Sequence, residues 1–350
     1  MCLKPAGKLS AFNHVFSNIG YVCFGILFIA LVSLKKRKYA KAIAMLDHHE
    51  AERFGVPQDF SLFYGMGVAM MMEGVMSGCY HICPRNIFFQ FDTTFMYLIG
   101  ILVLIKLYQN RHPDLSWGAI KTSVFLGIIL IFEAISYYES SPAFWIIFCL
   151  IYLLIITVVA FQIYTQGALK YNFHAFFDFF KLFTVEIKRA KAGPLTSMKV
   201  RLVFVAILVL YNVGHVSLIF FDAILSENAP SASGHMLLMI MAHGSIYVMF
   251  YTIMKLIHKE YLTLSCKLYL IASAVLVPLS AYFFYQTPKD QFASPSVSRG
   301  SNQECLLFNF FDSHDLWHFL SGGGLFTTFM FLLNIDEDLK YTERRLIPVF

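Results

Sequence analysis

The stretch GYVCFGILFIALVSLKKRK, residues 20–38, decides the fold class, because a long apolar run is followed at once by four basic residues. A helix needs roughly 20 apolar residues to cross the hydrocarbon core of a bilayer. A basic cluster directly after such a run is typical of its cytoplasmic end. The run is too long for the core of a signal peptide and no small-residue cleavage site stands out, so we predict a signal anchor.

Composition places the whole chain in the same class. Of the 350 residues, 58% are hydrophobic and 14% are charged, whereas a soluble domain carries about 25% charged residues. Runs of around 20 apolar residues favour helices over barrel strands, which need about 10 alternating ones. We therefore predict an all-α polytopic membrane protein in which residues 1–350 form a single transmembrane domain. About nine spans are predicted: 11–34, 61–83, 91–109, 117–138, 142–164, 200–222, 235–257, 263–286 and 314–334.

The distribution of basic residues predicts the orientation. With the N-terminus outside, only Lys4, Lys8, Arg85, Lys289 and Arg299 fall in or beside outer connections, and the other 22 of the 27 lysines and arginines fall in or beside inner ones. Because cytoplasmic connections are enriched in Lys and Arg, we predict an N-out and C-in topology. The net charge of +5 then reflects orientation and attraction to the anionic inner leaflet, not a nucleic-acid surface.

Polar residues inside the predicted spans indicate a site near the outer leaflet, since such residues are costly in a membrane and usually functional. Ser77 and His81 are four apart in the second span and share one face of a helix. Asp92 opens the third span at its outer end, and the last span opens with His314 and His318, again four apart. The predicted topology therefore brings three spans to one depth.

Three histidines near an acid suit a zinc ion, because three imidazole ligands leave a fourth position for water. Zinc lowers the pKa of a bound water to about 7. Asp92 is then predicted to hold or deprotonate this water, and Ser77 to donate to a developing oxyanion. Glu73, Asp312 or Asp315 is predicted to orient the imidazoles, and Asp312 with Asp315 also fits a capping box. The alternative is that these histidines are polar residues of the interface without a metal.

The other histidines lack this pattern. His215 and His243 fall inside predicted spans and are predicted to be hydrogen-bonded interior residues. The remaining histidines are predicted to lie at surfaces or span boundaries: His14, His48, His49, His112, His174, His235 and His258.

Four of the seven cysteines fall at or near the predicted outer side: Cys2, Cys79, Cys83 and Cys305. On an oxidising face these four could form two disulfides, and the sequence leaves all three pairings open.

One stretch, LIKLYQNR, fits a loose cholesterol-contact pattern through Leu104, Tyr108 and Arg111. The alternative explanation is an interfacial aromatic residue beside an inner basic anchor.

Six stretches resemble the SID transmembrane family, which is named for systemic RNA interference and is also called the cholesterol uptake protein family. They are LSAFNHVFSNIGYV, FYGMGVAMMMEGVMSGCYHICP, FQFDTTFMY, LIKLYQNRHPD, ECLLFNFFDSHDLWHFL and the terminal IPVF. The resemblance runs in order along essentially the whole chain. Family members also carry a β-rich extracellular region and one further span before this part, both absent here, so we expect a fragment, a short isoform or a divergent member.

The resemblance implies a site and a function. The family belongs to a superfamily, with alkaline ceramidases and adiponectin-receptor-like proteins, that shares a Ser, an Asp and three His around zinc; Ser77, Asp92, His81, His314 and His318 match them. It implies transport of double-stranded RNA or cholesterol, or both, at the plasma membrane or a lysosomal or endosomal membrane. Membrane lipids and a second copy in a homodimer are the other implied partners. The alternatives are a zinc-dependent lipid hydrolase, ceramidase-like or phospholipase-like, that cleaves an amide or ester bond, and a purely structural zinc.

Overall fold

The computed structural model describes residues 2–45, 53–83, 86–112, 141–166, 197–225, 232–286 and 304–350, with a few isolated helical positions between 124 and 188. Within these residues the chain is helical and forms no β-sheet, which confirms the predicted all-α class. The predicted span 117–138 lies outside the described residues except for isolated positions. The N-out and C-in orientation stays a prediction.

Nine α-helices are described: α1 Phe12–Ser17, α2 Ile19–Ala44, α3 Ser61–Ile82, α4 Asn86–Arg111, α5 Pro142–Phe161, α6 Ser197–Leu225, α7 Ala232–Ile257, α8 Leu264–Gln286 and α9 Ser313–Asn334. A π-helical turn, Gln162–Gln166, continues α5, and short 3-10 helices follow α9. With α1 and α2 taken together, eight helices in the described part of the chain are long and apolar enough to cross a membrane. They match eight of the predicted spans.

The chain divides into two compact units. The first comprises Met1–Lys106 and Leu262–Arg344, and the second comprises Leu107–Tyr261 and Arg345–Phe350. All of the residues predicted to form the zinc site belong to the first unit.

Helices α2 and α3 pack backbone against backbone in the first unit, and small residues make this approach possible. A Cβ atom added at Gly74 would lie 2.8 Å from the carbonyl oxygen of Asn18 and 2.9 Å from Cβ of Tyr21. A Cβ atom added at Gly67 would lie 2.5 Å from Cγ1 of Ile29. The face of α3 that carries Gly67 and Gly74 is therefore held directly against α2.

Helix α9 begins with the predicted capping box. The Asp312 carboxylate accepts hydrogen bonds from the backbone N–H groups of His314 and Asp315, at 2.9 and 3.1 Å. The Asp315 carboxylate accepts in return from the Asp312 N–H at 3.1 Å. These bonds satisfy N–H groups that have no partner inside the helix, and they fix the first turn, which carries His314.

The second unit contains a buried ion cluster. The Arg111 guanidinium donates to both carboxylate oxygens of Glu260, at 2.6 and 3.1 Å, and to the Tyr251 hydroxyl at 2.8 Å. The Lys255 ammonium donates to the same carboxylate at 2.8 Å. The Phe350 ring is fully buried and lies under the Arg111 guanidinium. These contacts tie the last residues of the chain to Arg111, at the end of α4, and to α7, all within the second unit.

Candidate metal centre

Three histidines from α3 and α9 converge on one point. Nε2 of His314 lies 3.1 Å from Nε2 of His81 and 2.9 Å from Nε2 of His318. His314 and His318 are buried, and the group that His81 forms with them is also buried. The predicted His-x3-His pair and the distant His81 are thus brought together by the packing of α9 against α3.

The arrangement fits a metal ligand set better than a set of hydrogen bonds. Nε2 of His314 offers either one proton or one in-plane lone pair, so it cannot serve both neighbouring nitrogens through ordinary hydrogen bonds. Zinc with Zn–N bonds of 2.0–2.1 Å and tetrahedral geometry holds its ligand nitrogens about 3.3 Å apart. The separations of 2.9 and 3.1 Å are close to this value. A shared cation would satisfy all three lone pairs at once.

Ser77, Asp92 and Glu73 form a polar group, and Ser77 lies one helical turn before His81 on α3. All three residues are at least 94% buried, and the side chains of Glu73 and Ser77 both interact with the Asp92 carboxyl group. Three of their atoms are buried without a geometrically good hydrogen-bond partner in the described part of the chain: Glu73 Oε2, Ser77 Oγ and Asp92 Oδ1. Polar atoms buried without a partner are costly in free energy. They are typical of a site that holds water or a ligand.

The prediction that Glu73, Asp312 or Asp315 orients the imidazoles needs correction. Asp312 and Asp315 do not bond the ring nitrogens of His314 or His318, and the Nδ1 atoms of both rings have no partner among the described residues. Asp312 caps α9 and also accepts from the Cys2 N–H at 2.9 Å. The Glu73 side chain interacts with the Asp92 carboxyl group. Only the capping-box prediction for Asp312 and Asp315 is confirmed.

His14 belongs to the site, although it was predicted to be a surface or boundary residue. It is 1% exposed, and its Nδ1 lies 2.8 Å from Oδ1 of Asp315. Its ring centroid lies 5.3 Å from that of His81 and 5.4 Å from that of His314. The neighbouring Asn13 donates to Oδ2 of Asp315 at 2.9 Å. The only sequence signal for this contact was the dipeptide Asn13–His14 on α1. Its partner, Asp315, lies about 300 residues away in the chain.

Tyr21 is a second residue that the sequence pattern did not indicate. Its ring packs edge-on against His318, with centroids 5.9 Å apart. Ser321 donates to the carbonyl oxygen of Trp317 at 2.6 Å, so its oxygen is placed to accept the hydrogen bond from the Tyr21 hydroxyl. The contact fixes α2 beside the His318 ring.

Of the four cysteines predicted to lie at the outer side, Cys2 and Cys305 form a disulfide, with Cα atoms 5.3 Å apart. Cys79 and Cys83 are free thiols. The disulfide links the segment before α1 to the segment before α9, next to the residues that surround His14.

The stretch LIKLYQNR, which fits the cholesterol-contact pattern, is largely buried within the protein. Tyr108 and Arg111 are 5% and 3% exposed, and Leu104 is half-buried. The Arg111 side chain is engaged by Glu260 and Tyr251. Contact between this motif and a sterol stays a prediction.

The fold and the buried polar residues together define the class: an all-α polytopic membrane protein with a candidate metal centre inside one unit of its helices. Comparison with known proteins gives the family. Residues 1–350 match the family model described as dsRNA-gated channel SID-1, and the chain belongs to this SID family.

The relatives agree with this assignment. The chain is 36% identical over 352 residues to SID1 transmembrane family member 1 of Homo sapiens and to the Mus musculus protein of the same name. It is 32% identical over 349 residues to Cholesterol uptake protein 1 of Caenorhabditis elegans. These alignments cover 100% of this chain but 42% of each mammalian protein and 45% of the nematode protein. The chain thus spans less than half the length of these relatives.

Proposed function

We propose that this chain acts in membrane transport, as a facilitator of uptake for cholesterol or double-stranded RNA. The observation that carries the proposal is the family match over residues 1–350, on a chain with eight helices able to cross a membrane. The family is described as a dsRNA-gated channel, and the nematode relative is named for cholesterol uptake.

The buried cations favour the sterol as cargo. A path for a polyanion needs cations that are available to phosphate groups. Arg111 and Lys255 instead share the Glu260 carboxylate, and Lys106 donates to the carbonyl oxygen of Asp59 at 3.0 Å. These cations are neutralised or bonded within the protein, whereas a sterol needs mainly apolar contact.

Uptake in cells that express the full chain tests both cargoes. A fluorescent sterol and a labelled RNA duplex are supplied separately. The control cells express an unrelated membrane protein, and surface labelling verifies that it is expressed at the same level as the chain. We expect sterol uptake above the control and RNA uptake equal to it. RNA uptake above the control would reverse the cargo preference. Uptake of both cargoes at the control level would contradict transport by this chain.

A second function, hydrolysis of a lipid amide or ester, is supported by the convergent Nε2 atoms of His81, His314 and His318. Buried Ser77, one helical turn before His81, and buried Asp92 also support it. Zinc, held by the three imidazoles, would polarise a carbonyl oxygen and lower the pKa of a water molecule to about 7.

The protein groups would carry the proton transfers of this reaction. The Asp92 carboxylate would accept a proton from the water whose oxygen bonds to the carbonyl carbon. The Ser77 hydroxyl would donate a hydrogen bond to the carbonyl oxygen as negative charge develops there. Asp92 would then return the proton to the amine or alcohol that leaves, so that the C–N or C–O bond breaks without net change in protonation.

Turnover of ceramide-type amides and phospholipid esters by the detergent-purified chain tests this role. Asp92→Asn should reduce turnover by about a hundredfold or more while zinc content is unchanged. Asp59→Asn is the matched control, because Asp59 bonds Ser61 at the other end of α3. Equal turnover by Asp92→Asn and the parent chain would reject the role of Asp92. If the parent chain shows no turnover and His318→Ala has a lower melting temperature, hydrolysis is rejected. A purely structural zinc is then the remaining explanation.

A further inference from the structure

A second group of histidines lies between α6 and α7, within the second unit and apart from the candidate metal centre. The His215 ring on α6 is 5.2 Å from the His235 ring on α7, measured between centroids. The Tyr211 ring lies 5.7 Å from both His215 and His243. By comparison, the centroids of the three imidazoles in the candidate metal centre are 4.5 to 5.6 Å apart.

Two ring nitrogens of this group are unsatisfied. Nε2 of His215 and Nε2 of His243 are buried and have no hydrogen-bond partner in the described part of the chain. His215 is 3% exposed. Nδ1 of His243 lies 2.6 Å from the carbonyl oxygen of Met239, which can only accept, so Nδ1 carries the proton and Nε2 carries a lone pair. This is the tautomer that binds a metal ion, and an unpaired lone pair inside an apolar span is otherwise costly.

A thioether lies on the same stripe of α7. His235, Met239 and His243 follow one another at intervals of four residues, so their side chains share one face of the helix. Met239 is 4% exposed, so its thioether is buried. Thioether sulfur and imidazole nitrogen together form a soft ligand set, and such sets select Cu(I) among biological metals.

The charge balance also favours a monovalent ion. The Tyr211 and His235 rings, which both contact His215, bring no formal negative charge to the group when the histidine is neutral. The cost of placing an ion in a medium of low dielectric constant rises with the square of its charge. A dication with neutral ligands would therefore be much harder to accommodate in the span than Cu(I).

We propose that His215, His235 and Met239, with His243 drawn in by small side-chain movements, bind Cu(I) between α6 and α7. This site is separate from the one formed by His81, His314 and His318, and it does not depend on the transport or hydrolase function.

Competition against the Cu(I) chelator bicinchoninate, under anaerobic reducing conditions, tests the site on the detergent-purified full chain. We expect the parent chain to retain copper and the double variant His215→Asn/His243→Asn to bind it about tenfold more weakly or worse. His258→Asn is the control, because His258 belongs to the same unit but is exposed and stacks on Phe350. Copper retention by the double variant at parental affinity would overturn the proposal, as would equal loss in His258→Asn.

A conservative pair of methionine variants keeps the test independent of folding defects, since Met-to-Leu exchanges are well tolerated. Met239→Leu should weaken Cu(I) binding and remove sulfur from the copper X-ray absorption spectrum. Met241→Leu, on the same helix but 42% exposed, should change neither. Sulfur ligation that persists in Met239→Leu, or copper that is lost from His314→Ala/His318→Ala instead, would contradict the assignment.

Discussion

Nδ1 of His14 lies 2.8 Å from Oδ1 of Asp315, and this buried bond joins residues 301 positions apart. It connects α1 to the first turn of α9, which carries His314. His14→Ala leaves the buried Asp315 carboxylate without its charge-assisted partner, so we expect a loss of about 2 kcal/mol in stability. Thermal melting in detergent measures this effect. The exposed His258→Ala should melt within error of the parent chain, and equal melting of the two variants would contradict the inferred role.

The disulfide between Cys2 and Cys305 should hold the segment before α1 in place. Cys2→Ser/Cys305→Ser is expected to lower stability by about 2–4 kcal/mol, because the bridge closes a very long loop in the unfolded chain. Cys79→Ser/Cys83→Ser removes two free thiols and is the control. Peptide mapping without reduction checks the pairing directly: a linked Cys2–Cys305 peptide is expected, and a link from Cys2 or Cys305 to Cys79 or Cys83 would show the pairing to be wrong.

Close packing of α2 and α3 predicts different outcomes for two neighbouring glycines. Gly74→Ala places a methyl group 2.8 Å from the Asn18 carbonyl oxygen, so we expect a loss of about 1–3 kcal/mol from overpacking. At Gly78 the nearest atom, Cγ1 of Val15, is 4.0 Å away. Gly78→Ala should therefore be neutral or slightly stabilising. Detergent melting curves that rank the two variants in the opposite order would refute this packing.

The buried Glu260 should matter far more than an exposed acid. Glu260→Gln removes the carboxylate shared by Arg111 and Lys255, which are almost fully buried, and we expect a cost of about 3–5 kcal/mol. Glu343→Gln affects a pair with Arg53, whose side chain is 62% exposed, and should cost about 0–1 kcal/mol. Chemical unfolding in detergent compares the two, and similar midpoints would contradict the buried cluster.

The spans were predictable from sequence because hydropathy and helix length are local properties. The apolar run and basic cluster over 20–38 sufficed to predict α2. The interactions of Arg111 were not predictable, since an inner basic anchor and a member of a buried ion pair look the same in sequence. Glu260, which decides between them, comes 149 residues later.

The sequence predicted the site residues that follow a helical spacing, but it did not predict the contacts that His14 and Asp315 make around them. His314 and His318 share a helical face by their spacing, and His81 and Asp92 were placed at the same depth by the topology. His14 had no spaced partner and was therefore missed. Asp315 was assigned to an imidazole ligand, but the close approach of α1 directs its carboxylate to His14 and Asn13. Such choices depend on tertiary packing over about 300 residues.

Metal content by mass spectrometry on the detergent-purified chain, beside the His314→Ala/His318→Ala variant, tests the central claim most directly. We predict about one zinc per chain, lost in this variant and retained in His215→Asn/His243→Asn. A well-folded parent chain without zinc, or equal zinc in the His314→Ala/His318→Ala variant, would contradict the metal centre and return its histidines to ordinary polar packing.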